Sequence, residues 1–240
     1  MQDDRHFFKE QTASTISSAS AVDQGLRTYM LKVYNYMMTA LALTGLVAYA
    51  VSTSDTLIAA IFGTPLSWVV MLAPLGMVFF LASRINSMSV SGAQTAFWIY
   101  SALVGLSLAS LFYVYTGQSI TRVFLITSGT FGAMSLYGYT TRRDLTAMGS
   151  FLFMGVIGIV IASIVNLFMQ SSALAFAISV LGVLIFTGLT AYDTQVIKAS
   201  YVEGEQVDHA EKKAIFGALK LYLDFLNLFI MLLHLLGDRR

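Results

Sequence analysis

Two aspartates stand where ionisable side chains are costly. Asp193 lies in the stretch GLTAYDTQ and Asp224 in LYLDFLNLF, each inside a long apolar run. Burying a charge in a membrane span is expensive, so such a residue is a functional-site hypothesis by default. Asn227 follows Asp224 by three residues, on the same helical face, and Gln195 stands close to Asp193. If the two runs are consecutive antiparallel helices, these residues make a polar patch between apolar surfaces. Two carboxylates in a low-dielectric site cannot both ionise cheaply, so they are expected to share a proton and titrate as a unit. A pH-gated ion path is the natural use of such a pair. The plainer alternative is that hydrogen bonds between helices satisfy each aspartate.

The other candidates are cations and a loop. Arg84 ends an apolar run just after FFLAS. It reads as an anchor at the membrane surface, or as a latch that reaches back to Asp193 or Asp224. Lys220 precedes Asp224 by four residues and either snorkels to the surface or neutralises that aspartate. The longest hydrophilic connection, 198–213, carries Glu203, Glu205, Asp208, His209 and Glu211. It reads as a solvated loop, since its spacing is not that of a calcium-binding EF-hand. His234 stands alone near the end of the last run. The sequence has no HExxH, no GxSxG and no phosphate-binding glycine loop, so transport or regulation is expected rather than catalysis. No cofactor is expected.

The elements that must position these residues are membrane helices. Of 240 residues, 57% are hydrophobic and 11% charged, against about 25% charged in a soluble domain. A net charge of +1 gives no reason to expect a nucleic-acid partner, and zero cysteines exclude disulfides and thiolate metal sites. Seven apolar segments can be marked, at 29–51, 66–82, 93–115, 123–139, 145–168, 173–197 and 214–236. Their lengths approach the ~20 residues that cross a bilayer, and their continuity excludes barrel strands. Gly129, Gly132, Gly155 and Gly158 are small enough to let helices approach closely. The expected fold is all-α, a polytopic bundle of seven transmembrane helices.

Residues 1–23 are polar and of mixed charge, without the apolar run of a signal peptide. They are expected to form a cytoplasmic, partly disordered tail before the membrane domain of residues 24–240. With that end inside and seven crossings, eleven of the fourteen Lys and Arg residues fall on the cytoplasmic side. Only Arg122, Arg239 and Arg240 fall outside. The terminal arginines leave an alternative of six spans with a re-entrant last segment.

GLTAYDTQ followed by LYLDFLNLFIMLLHLLG resembles the signature of the transmembrane Bax inhibitor motif family, bacterial branch. DQGLRTYMLKVYNYMMTALALTG is similar to that family's first span, and YGYTTRRDLTAMGSFL to its turn between spans four and five. The resemblance covers residues 23–237 and implies seven helices with the last one at the centre. It implies a pH-sensitive leak of calcium or another cation through a bacterial inner membrane. In that reading Asp193 and Asp224 are the sensor and Arg84 the latch, while the longer loop around GEQVDHAE is a departure from the pattern. Some bacterial relatives are instead associated with restraint of a membrane-anchored AAA protease, for which the polar tail is a plausible contact.

Overall fold

The computed structural model describes residues 3–85 and 87–240, with side chains from residue 23 onward. Helix α1 (Asp3–Ser52) carries the tail and the first apolar run as one rod, and the tail's side-chain contacts lie outside the described residues. A short α2 (Asp55–Phe62), which the apolar pattern does not foresee, leads into α3 (Leu66–Arg84). Then come α4 (Val90–Leu108), the single turn α5 (Leu111–Val114) and α6 (Gly117–Thr140). Helices α7 (Thr146–Met169), α8 (Ser172–Ala199) and α9 (Val207–Leu236) complete the chain. Hydroxyl side chains mark several starts. Ser54, Ser89, Thr116 and Ser171 each accept a backbone N–H from the first turn, which satisfies a donor the helix cannot.

Six of these helices, with α4 and α5 counted as one rod, are long and apolar enough to cross a membrane. The seventh, α6, is diluted by Thr, Ser and Gly, but its 24 residues reach about 36 Å at 1.5 Å each. The exposed surface is what a bilayer requires. Helix α3 turns Trp68, Met71, Leu72 and Phe79 outward, and α7 does the same with Phe151, Met154 and Ile161. No aqueous surface tolerates so continuous an apolar face.

Helix α9 is the axis. In its apolar window 67% of the residues are buried, against 11–33% in the other five candidate spans. It packs on α1, α4, α6 and α8, with Leu221, Tyr222, Leu228 and Leu233 fully enclosed. Its antiparallel register on α8 is set by Gly217 against Ile197 and Gly182 against Met231. The last helix is therefore central, and it is an unbroken crossing rather than a re-entrant segment. The residues after α9 pair with the connection between α5 and α6: Thr116 N–H donates to Asp238 O (3.1 Å) and Arg240 N–H to Val114 O (3.0 Å). Arg122 bonds Leu236 O and pairs with Asp238 at 3.0 Å, so it ties down this terminus.

The glycines that set helix spacing are mostly not those singled out by sequence. Only Gly155 of that group is tight, since a Cβ there would meet Ile185 at 2.6 Å. Gly129, Gly132 and Gly158 face open space. The close approaches are at Gly138, where a Cβ would fall 2.2 Å from Ala191 O, and at Gly149, against the Tyr192 ring.

Candidate functional site at the contact of α8 and α9

Helical continuation shortens the hydrophilic connection. Helix α8 runs to Ala199 and α9 begins at Val207, so the link between them is 200–206, not 198–213. The reason is that its charges find partners along helical faces. Glu205 pairs with Lys213 (2.8 Å) and His209 (3.1 Å), and Glu211 pairs with Lys32 while accepting a hydrogen bond from Tyr36 (2.6 Å). Lys213 holds the Glu205 carboxyl below its ordinary range, with a smaller contribution from His209. Among the described residues no three His, Cys, Asp or Glu side chains cluster to hold a metal ion.

Inside the bundle, Asp193 of α8 and Asp224 of α9 stand at the α8–α9 contact, near enough for each carboxyl to feel the other's charge. Asp224 is 5% exposed, and its Oδ2 has no hydrogen-bond partner among the described residues. A buried acceptor left unpaired is costly and rare. The cation beside the pair is Lys220, whose Nζ lies 3.5 Å from Asp193 Oδ1. Spacing suggested that Lys220 belonged to Asp224, one turn along its own helix. The register of α9 on α8 instead points it at Asp193. With both carboxylates ionised the trio carries one net negative charge; with one proton on the pair it is neutral.

The remaining sequence candidates lie elsewhere. Arg84 is exposed at the last turn of α3, and its guanidinium makes no ion pair among the described residues. Gln195 clamps the turn into α7, donating to Arg143 O (2.8 Å) and accepting from Leu145 N–H (2.9 Å). Asn227 donates to Leu223 O (2.8 Å) on its own helix and faces a small groove beside Ser163 of α7. Neither amide joins the aspartates, so the polar patch is smaller than the spacing suggested. Asn227 lies further along α9, beside Phe186 of α8, and its amide is spent on its own helix. His234 is exposed.

Two hydroxyl chains surround the pair. Thr194 donates to Thr190 O (2.7 Å), so Ser135 donates to Thr194 (3.0 Å) and Tyr34 to Ser135 (2.5 Å). This chain links α1, α6 and α8 one residue past Asp193. On the other side, Thr44 donates to Ser101 O (2.9 Å) and accepts from Tyr222 (2.6 Å), joining α1, α4 and α9 two residues before Asp224. Single serines and threonines in apolar runs gave no sign of these networks, because their partners are up to 178 residues apart.

The family model described as inhibitor of apoptosis-promoting Bax1 matches residues 26–240. The chain belongs to that family. An uncharacterised protein of Rickettsia prowazekii is 48% identical over 96% of this chain and 98% of its own length. The Escherichia coli protein named inner membrane protein YbhL is 47% identical over 90% of this chain and 94% of its own. An uncharacterised membrane protein of Streptococcus pyogenes is 34% identical over 90% and 94%. This member of the Bax inhibitor family is thus a multi-pass helical membrane protein, matched to its relatives over nearly their full lengths.

Proposed function

We propose that this protein is a pH-sensitive cation leak, with calcium as the first ion to test, and that the Asp193–Asp224 pair is its sensor. The observation that carries the reading is the unpartnered Asp224 Oδ2 buried beside a second carboxyl and a single ammonium. In the closed state the pair shares one proton and Lys220 balances the remaining charge. Loss of that proton leaves a net negative charge in an apolar site, which only water or a cation can compensate. The α8–α9 contact is then the element whose packing responds to pH. The protein sits in the bacterial inner membrane with its N-terminus cytoplasmic, a reading supported by the bias of basic residues and by the name of the Escherichia coli relative. It acts without a cofactor and is not an enzyme.

Calcium flux into liposomes across a pH series tests the reading. The wild-type protein is expected to show pH-dependent flux and Asp193→Asn a flat profile. An unchanged profile in folded Asp193→Asn protein removes the pair from any sensing role. Restraint of an AAA protease would rest on the tail, whose side chains fall outside the described residues. Deleting residues 1–22 separates the two readings, since the leak is expected to survive it.

A further inference from the structure

A second feature of the bundle lies away from the aspartates. It is a groove of about 1170 Å³ on the membrane-facing side between α1 and α6, floored by Phe225 of α9. Met37, Leu41 and Gly45 line one wall, and Phe124, Phe131 and Gly132 the other. Two small residues keep it open: a Cβ added at Gly45 or at Gly132 would meet nothing within 4 Å. The lining is apolar along most of its length, with Ser128 midway bonded to its own helix, and is most polar toward one end, where Tyr34, Ser135 and Tyr139 are found. At that end stands Arg27, exposed and without an ion pair among the described residues. The same end of the bundle carries the 200–206 link, since Tyr29 donates to Ser200 at 3.1 Å.

We propose that this groove binds an anionic phospholipid, its phosphate on Arg27 and one acyl chain lying along α1 and α6 past Gly132. From Arg27 to Gly45, 18 residues apart in sequence, is about 27 Å at 1.5 Å per residue. That is close to the ~30 Å of a hydrocarbon core, so the slot runs in the direction of lipid chains and at their depth. Charge decides the headgroup. A basic residue at the mouth of a cleft between spans selects anionic lipid over zwitterionic. The aromatic hydroxyls of Tyr34 and Tyr139 stand at the depth where such side chains meet headgroups. On the proposed function, the groove adjoins the sensor, since its lining residue Phe225 directly follows Asp224 and Ser135 bonds Thr194, next to Asp193.

The test is lipid retention by the full-length protein, delipidated in detergent, incubated with phosphatidylglycerol or phosphatidylcholine and analysed by native mass spectrometry. One retained phosphatidylglycerol per chain is expected, in at least tenfold preference to phosphatidylcholine. Arg27→Gln should abolish the preference. Gly132→Leu should abolish retention by filling the slot. Gly76→Leu, another open glycine but on α3, should change neither. Equal retention of the two lipids, or retention unaffected by both groove variants, overturns the proposal. A dimer that Gly132→Leu dissociates also overturns it, because a second copy would then be the occupant. Should Gly132→Leu fail to fold, Gly132→Val fills the same point of the slot with a smaller side chain.

Discussion

At the scale of single residues, the site is a problem in charge arithmetic. Two carboxyls and one ammonium lie together in an apolar core, and one proton makes the group neutral. On the proposed sharing of one proton, the substitutions of the two carboxyls should not add. Asp193→Asn and Asp224→Asn are each expected to flatten the pH profile of flux, and the double variant to add little; additive effects measured in liposomes would separate the two aspartates. Lys220 and Arg84 make opposite predictions. Lys220→Met removes the ammonium 3.5 Å from Asp193 and is expected to move the midpoint of the flux profile. Arg84→Ala, at an exposed helix end, is expected to leave basal leak as it is. A rise in leak in the Arg84 variant would show that the arginine reaches the pair in some other state of the bundle.

At the scale of elements, hydroxyl chains and short links hold the helices in register. Tyr222 is fully buried, and its hydroxyl bonds Thr44 with Ser101 beside it. Thr44→Val keeps the volume but removes the hydroxyl's 2.6 Å partner, which costs about 1–3 kcal/mol. A lowered thermal midpoint in detergent is the expected readout, with Phe in place of Tyr222 in the same background restoring most of it. The 200–206 link depends on pH through Glu205. Its carboxyl is held below the ordinary range by Lys213, so ionised Glu205 is favoured in the folded link. That contribution is complete above the unfolded value of about 4.3 and is lost as pH falls through the lower, folded value. Hydrogen exchange should therefore show the link protected at neutral pH and opened at the acid end of the profile. Glu205→Gln should open it at neutral pH and remove the acid transition.

At the scale of the whole molecule, an odd number of crossings puts the two ends of the described bundle on opposite faces. The terminal residues 237–240 join the connection between α5 and α6, while the 200–206 link sits beside Gly25 and Tyr29 of α1. A reporter fused after Arg240 and one inserted in the 200–206 link are expected to report opposite compartments, the link being cytoplasmic. Equal signals from both would contradict an unbroken α9. The arrangement also explains why α9 can carry an ionisable residue in mid-span, as α3 and α7 do not. Only the axial helix is sheltered on every side, whereas α3 and α7 present lipid-facing surfaces with 11% of their windows buried.

What the sequence determined by itself was everything that depends on local composition. Apolar runs of spanning length specify helices in a bilayer, because each backbone polar group must then be satisfied within its own segment. The two motif aspartates could be named because a carboxylate inside such a run is rare. The direction in which each side chain points was left to tertiary structure, since it depends on how one helix is rotated against the next. Register placed Lys220 on Asp193, turned Asn227 toward α7, sent Gln195 to the 141–145 turn and left Arg84 at the exposed end of α3. It also decided which glycines are contacts, such as Gly138, and which are openings, such as Gly132. The loop was misjudged for the same reason. Its charges look solvated in one dimension, and only pairing with Lys213 and Lys32 in space lets α9 begin as early as Val207.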